Sequence, residues 1–452
     1  MANQQKNAGF FVLKSFKVKP LLEENLNRDS ENSSMPEFVE MSKTIIDFGI
    51  SESLDSPFIS GYAVVHESDN LLESVPLLGE EEITMTVEDF YGESRSYKLF
   101  LYAIEQVGPA SSINDRMMKY TIRFTSIQKL QGDQTSIRKS YNNTKISEIV
   151  EDIYNTFMLT GNKEYDKPIE IEETDGEQSL VIPDMRTDAA MQFLSRRAYS
   201  QKNNTSLYRF FETREKYFFC TPEYLIEKYG DSKGKTEEEI NRLKFIYNTV
   251  EDNTGPGQRI AQQSVNDVSY GNKVDTFLDM KEGMYRRTVT ELDPTTRTRI
   301  QRDYDYTTEY QEKEMPEKLK LTHTQTFLDK YMAASTQPEE YLIVDFPQIG
   351  QSTGKQDMKK PYQHFYENYT AKPVVNYHFF RNTLSMEING RLELHPGMLI
   401  DLELYKFRTT VAGTREFDHE RSGKYIVMSI DHVFSGDSYK QSISMTKGGL
   451  KA

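Results

Sequence analysis

A mainly β protein, two antiparallel β-barrels joined by a small α+β unit, is the fold class this sequence predicts. Three observations carry that reading. Apolar and polar residues alternate with period two in two separated regions, 39–134 and 386–446, the signature of strands buried on one face. Between them the period changes to that of an amphipathic helix. Turns rich in Gly, Pro and charge punctuate the strands at short intervals.

Residues 1–38 are polar and poorly patterned apart from Phe10-Phe-Val-Leu, and are expected to form an arm. Order begins near Val39. Strands follow at Met41–Gly49, Ser60–Glu67, Glu82–Glu88, Tyr97–Val107 and Lys119–Leu130. Ile83, Met85 and Val87 alternate with Thr84 and Thr86, and Tyr120, Ile122 and Phe124 with Thr121, Arg123 and Thr125, so residues 39–134 predict a first barrel. In the next unit, 135–235, Ile146, Ile149, Val150, Ile153, Tyr154, Phe157 and Met158 form one apolar stripe at helical spacing, with Asn143 or Thr144 as N-cap. A second helix follows Thr187, with Ala190, Phe193, Leu194 and Ala198 on one face. Leu207–Glu212 and Tyr217–Cys220 read as an aromatic hairpin around Thr213–Lys216.

The remainder, 236–452, predicts a second barrel interrupted by an insertion at about 310–372. Asn253-Thr-Gly-Pro-Gly marks a linker before it. Met284–Leu292 and Arg297–Thr308 have hairpin spacing around Asp293-Pro-Thr-Thr and are expected to complete the barrel. The insertion carries a short helical pattern at Phe327–Ala333. Past it, Pro396-Gly397 supplies a turn, Met398, Ile400, Leu402 and Leu404 share a parity against Asp401 and Glu403, and Ile426, Met428, Ile430 and Phe434 share one against Tyr425, Val427, Ser429 and Asp431. Gly436-Asp437 turns the chain into a last strand with Ile443 and Met445 opposed to Ser442 and Ser444.

Composition excludes several classes. Among 452 residues there are 70 acidic and 55 basic side chains, a formal charge of −15, which argues against sequence-independent nucleic-acid binding. The 28 Tyr and 25 Phe sit at strand positions rather than among basic residues, as core rather than base-stacking groups. No apolar run reaches the length of a membrane span and Met1-Ala-Asn-Gln-Gln-Lys lacks the apolar core of a signal peptide, so a cytoplasmic product with no stable membrane insertion is expected. A single cysteine, Cys220, leaves no intramolecular disulfide and no multi-cysteine metal site; in an aromatic strand it is expected to be buried and inert. The sequons at Asn142 and Asn368 are then accidental.

Catalytic constellations are equally sparse. His66, His323, His364, His378, His395, His419 and His432 are scattered without zinc-ligand spacing; His432 reads as packed on the barrel and His395 as a turn residue. Asp401/Glu403 and Glu80-Glu-Glu are the acid pairs a glycosidase would need, and are expected on faces that meet solvent. Ser422-Gly-Lys lacks the upstream glycine of a phosphate loop, and Gly255-Pro-Gly places a proline where backbone donors are wanted. Neither a catalytic, a cofactor nor a metal site is expected.

The order of motifs nevertheless resembles a known family. A Leu-x-Pro-Gly turn (Leu394–Gly397) between strands, then Ser422-Gly-x-Tyr-x-Val-x-x-Ile-x-His and a polar last strand, preceded by Asp188-Ala-Ala-Met-Gln-Phe-Leu, Tyr208-x-Phe-Phe-Glu and Tyr217-x-Phe, is similar to the central hub proteins of contractile phage tail baseplates. The Ser51–Leu72 segment also resembles the hubs' first hairpin. The same barrel type recurs in the hub part of type VI secretion spikes. The resemblance implies two tail-tube-like barrels per chain and a homotrimer whose pseudo-sixfold ring adapts a hexameric tube to a trimeric spike. Implied partners are the central spike, tail tube proteins, the tape measure protein and DNA in transit, in a virion tail baseplate assembled in host cytoplasm. Two alternatives stand beside it, a cell-wall-degrading enzyme of the tail apparatus and the hub of a type VI or phage-derived injection system. Parallel β-helix repeats and lysozyme-like patterns are absent, so no fused needle or enzymatic domain is expected.

Overall fold

The computed structural model describes residues 9–20, 37–68, 72, 77–111, 114–203, 205–230, 243–247, 263–271, 286–293, 298–305, 339–343, 376, 379, 383–409, 415–419 and 421–447. The chain is mainly β with a small α+β region. Its first strands are β1 (Val12–Lys19), β2 (Val39–Glu40), β3 (Ile45–Ser53), β4 (Ser60–Glu67), β5 (Glu82–Glu88), β6 (Ser94–Ser111) and β7 (Asn114–Thr125). They lie in the order β3-β4-β7-β6-β5-β1-β2. The inward parity of each strand supplies one core, including Phe48, Ala63, Met85, Leu99, Ile122 and Phe16. The sheet rolls up around that core: Phe11, just before β1, the next-to-last strand of the order, reaches Phe48 of β3 at its other end, with ring centroids 6.0 Å apart.

Leaving β7 the chain enters α1 (Ile127–Gln134), β8 (Ile137–Lys145), α2 (Ile146–Ile153) with a π-helical continuation at Tyr154–Met158, β9 (Ile169–Ile171), β10 (Glu177–Met185), α3 (Thr187–Ser195), β11 (Arg209–Glu212), β12 (Tyr217–Cys220) and α4 (Pro222–Gly230). The predicted stripe of α2 is the inner face of this unit: Ile146, Ile149, Val150, Ile153, Tyr154 and Met158 are buried with Ala190, Met191 and Leu194 of α3. The aromatic hairpin forms as expected, with Phe210 opposite Phe219 and Phe211 opposite Phe218.

Third come β13 (Lys244–Ile246), β14 (Val265–Tyr270), β15 (Arg286–Asp293), β16 (Thr298–Asp305), β17 (Glu339–Ile343), β18 (Thr383–Asn389), β19 (Leu399–Glu403), β20 (Tyr405–Thr409), β21 (Arg415–Phe417), β22 (Gly423–Ser435) and β23 (Ser438–Thr446). The run β14-β18-β23-β22-β19-β13 surrounds a core of Leu384, Met386, Ile400, Leu402, Tyr425, Val427, Ile430, Ile443 and Met445. A parallel bridge from Ile246 to Ser264, immediately before β14, closes the circuit. Gly397 has φ +88° in the turn before β19, a conformation a side chain would resist.

Several expectations are corrected. Residues 12–19, placed in the arm, form β1 and pair antiparallel with β5, because Phe16 and Val18 alternate in phase with the core. Met41 lies in a turn and the strand begins at Ile45. The strand drawn to Leu130 stops at Thr125, where α1 begins behind Ser126. Asn143 and Thr144 do not cap α2; both belong to β8, Asn143 has φ +48°, and the cap position is Lys145. β15 and β16 pair as a hairpin but stay out of the second barrel: with β17, which runs parallel to β15 from within the expected insertion, they make a separate three-stranded sheet. The patterns at Asn253–Gly257 and Phe327–Ala333 lie outside the described residues.

Ile400 and Ile430 are both fully buried in the second core. Ile400→Asp or Ile430→Asp is expected to cost several kcal/mol by stranding a charge there. Loss of cooperative thermal unfolding and of soluble protein checks this, and normal melting of either variant would contradict the core assignment.

Candidate functional site

The feature that sets the whole molecule's geometry is a strand shared by its two β units. β22 gives Gly423–Ile426 to β19 and, along the same edge, Ser429–Ser435 to β3. A register shift between Val427 and Ser429 separates the two halves. Such a bulge bends a strand and turns its side chains, so one strand can serve two sheets. It also corrects the predicted parity. Ile426 and Met428 pack with Phe211, Phe218 and Cys220 of the α+β unit, whereas Ile430 joins Tyr425 and Val427 in the second core and Phe434 joins the first.

On the inner face of the seam Phe48 stacks on Phe434 with centroids 4.3 Å apart, and Phe434 on Tyr439 at 4.1 Å. Gly390 lies flat on that tyrosine, with no room for a Cβ. Next along come Ile50 opposite His432, then Glu52 opposite Ile430. The face thus passes from the first core to the second through one polar pair. Both members are almost wholly buried, and Glu52 Oε1 lies 3.9 Å from His432 Nε2. On the outer face Ser51 donates to Asp431 at 2.6 Å.

Behind His432 the polar groups are ordered by Gln441, which is fully buried. Its Oε1 accepts from the Arg391 N–H at 2.9 Å and its Nε2 donates to the Arg391 carbonyl at 2.7 Å, which fixes the amide's orientation. The same Nε2 lies 3.2 Å from His432 Nδ1, with the Tyr439 hydroxyl at 2.7 Å. Facing an amide donor, Nδ1 accepts, so the imidazole proton sits on Nε2 and points at Glu52. Beyond Gln441, the Leu392 N–H donates to Asp89 at 3.2 Å, and the Arg391 guanidinium lies over the Tyr91 ring at 4.8 Å and the Phe245 ring at 5.3 Å. Loop 390–394 of the second unit is thereby clasped by the β5–β6 turn of the first.

A second junction joins the first β unit to the α+β unit. Glu212 of β11 is buried and accepts from the Ile59 N–H at 2.9 Å, Ser126 Oγ at 2.5 Å and Lys167 Nζ at 2.5 Å. Glu172, also buried, accepts from Ser200, Asn203 and both the N–H and hydroxyl of Thr221. Burial alone would raise the Glu170 carboxyl, but hydrogen bonds from Lys216, Lys228 and Tyr224 outweigh it and hold the group down to about 2.

The sequence-marked candidates do not assemble into a reaction centre. Glu403 pairs with Lys244 at 2.7 Å across β19 and β13. Glu81, expected in solvent, is fully buried, and its carboxylate accepts from the N–H groups of Leu78, Gly79 and Glu80. His395 is a turn residue held by the Pro396 carbonyl at 2.8 Å; His419 meets Phe417 edge-on, with ring centroids 4.8 Å apart. Burial pushes the Cys220 thiol well above its ordinary range. His323, His364 and His378 lie outside the described residues. Among the described residues no cluster of His, Cys, Asp and Glu could hold a metal ion, and no helix is long and apolar enough to cross a membrane. Of the residues that matter most here, Glu212 closes the Tyr208-x-Phe-Phe-Glu motif, while Glu52, Arg391 and Gln441 were not singled out in the sequence. Parity carried a signal for two of them: Glu52 is in phase with Phe48 and Ile50, and Gln441 with Ile443 and Met445.

No family model matches the chain, and no curated protein does. Solved structures do. The tail protein from Neisseria meningitidis MC58 superposes with a TM-score of 0.51 at 8% identity, covering 91% of this chain and 94% of that one. The 43 kDa tail protein of prophage MuSo2 from Shewanella oneidensis gives 0.49 at 10% identity, over 96% and 98%. A Francisella PdpA-VgrG complex gives 0.43 at 10% identity, over 97% of this chain and 54% of that one. The shared fold rests on the first of these, and the structural neighbours are tail and secretion-spike proteins, as the sequence resemblance implied.

Removing Glu212 leaves the Ile59 N–H, the Ser126 hydroxyl and the Lys167 ammonium without their acceptor. Glu212→Ala is expected to cost about 3 kcal/mol, and Glu212→Gln less. Denaturant midpoints check this; an unchanged midpoint in the alanine variant would remove Glu212 as the pin between the two units.

Proposed function

We propose that this chain is the structural hub of a contractile phage tail baseplate, a non-enzymatic homotrimer that joins a hexameric tail tube to a trimeric central spike. The observation that carries the reading is the build of the chain: a seven-stranded and a six-stranded unit, each rolled around its own core, held in fixed relation by one shared strand, in a fold common to a tail protein over nearly its whole length. Three such chains present six comparable units around a threefold axis, which is what a sixfold tube needs from a threefold base. Sheet edges left open within one chain can then pair between copies.

Charge suits the role. A trimer carries a formal −45, three times −15, and an acidic passage repels the backbone of DNA moving through it. The tape measure protein and DNA are transient occupants in this reading, the spike and the tube proteins stable neighbours, and the virion tail the place of assembly. A structural role also suits the buried carboxylates Glu81, Glu172 and Glu212, whose acceptor capacity is spent on backbone amides, hydroxyls and a lysine of the chain itself.

Light scattering tests the stoichiometry. A mass three times 52.6 kDa is expected for the purified chain alone or on adding a candidate spike protein from the same genome. A mass of one chain under both conditions would overturn the reading, as would release of soluble fragments from purified peptidoglycan.

A further inference from the structure

The Glu52–His432 pair is used by nothing in the hub reading, and its geometry is unusual for a buried polar contact. Glu52 Oε2 and His432 Nε2 have no hydrogen-bond partner among the described residues, although both atoms are sealed from solvent. Most buried polar groups are satisfied, so an unpartnered atom on each of two side chains that approach to 3.9 Å through the other carboxylate oxygen, Oε1, points to a purpose other than holding the strands together. The histidine can present only one face. Its Nδ1 is turned to the amide donor of Gln441 and the hydroxyl of Tyr439, so the proton is on Nε2, and a second proton would meet an N–H already in place.

The carboxyl is different. The charged and titratable groups facing Glu52 are Lys167 from the loop before β9, Glu212 from β11, Arg214 from the β11–β12 turn, and His432 from β22, with Tyr97 of β6 alongside. The cations are engaged elsewhere: Lys167 binds Glu212 at 2.5 Å and the Thr213 carbonyl at 3.1 Å, and Arg214 binds Glu215 at 2.6 Å. An ionised Glu52 would therefore have only neutral donors to turn to, the Tyr97 hydroxyl and, across the seam, the Nε2–H of His432, whose nitrogen lies 3.9 Å from Oε1, about 1 Å longer than a normal hydrogen bond.

We propose that Glu52 is a proton switch set into the seam between the two β units: neutral, it leaves the His432 Nε2–H unengaged, and on losing its proton it is drawn onto that hydrogen and shifts β3 against β22. The proton goes to solvent and no other bond changes. Burial pushes the Glu52 carboxyl up to about 7, and burial lowers His432 to about 4. The signs follow. Raised above the ordinary 4.5, Glu52 contributes stability that is fully present below 4.5 and lost as pH rises to about 7. Lowered from 6.5, His432 contributes stability that is present above 6.5 and lost as pH falls to about 4. Between 4.5 and 6.5 the two slopes oppose each other, so the seam is firmest in that window and the switch operates just above it.

The test uses the full chain at one fixed concentration, as wild type and as Glu52→Gln. The ratio of their folding equilibrium constants is expected to change by up to about 300-fold between pH 4.5 and 8.5, against wild type at the alkaline end, as two and a half pKa units require. Parallel stability profiles would overturn the proposal. Should the variant not fold, the wild type still decides: the side-chain nitrogen resonance of His432 Nε2 should move with a midpoint near 7 while its proton stays in place. A resonance unmoved from pH 5.5 to 8.5, or one showing imidazolium formation in that range, would overturn it.

Discussion

A β-strand has two hydrogen-bonding edges, and β22 divides one of them between β19 of its own unit and β3 of the other. That division is the constraint on which the rest of the molecule depends. Two units each with a separate core would ordinarily be joined by a linker and free to turn. Here the backbone ladder of β3 and β22, the Phe48–Phe434–Tyr439 stack and the clasp of loop 390–394 by Asp89 and Tyr91 fix the angle between them. A ring built from such chains inherits its regularity from that angle.

The polar interior follows from the same demand. Where two apolar cores meet on one strand face, continuous packing would merge them, and polar residues at the meeting point separate them. Gln441 satisfies its partners fully and orients His432; Glu212 does the same at the junction with the α+β unit, and Glu172 within that unit. Each buries a charge or an amide only where backbone donors and acceptors receive it. Glu52 is the exception, a desolvated carboxyl without such reception.

Much of this was legible in the sequence, and the part that was not has physical causes. Strands β4 and β5 fell at their predicted limits because strict period-two alternation ran between clear turns. Helices α2 and α3 were found from their apolar stripes, but their ends were not: α2 passes into a π-helix at Tyr154 and α3 stops at Ser195, before Ala198. The faces of β22 were misassigned because a bulge changes parity without changing composition. β1 was hidden in polar surroundings, since only Phe16 and Val18 of its eight residues are fully buried. The hairpin β15–β16 was recognised but given to the wrong sheet, because pairing between distant strands leaves no local mark. Of the seam, the apolar face was visible; Glu52 and Gln441 sat in phase with core residues, and a polar residue in phase with a buried row was the signal available.

Electron microscopy of the purified protein, with end-on views classified by symmetry, is the decisive measurement. A closed ring with six similar lobes in which alternate lobes are equivalent, true threefold symmetry imitating sixfold, is expected. A single elongated body with two lobes, or a ring of any other count, would contradict it.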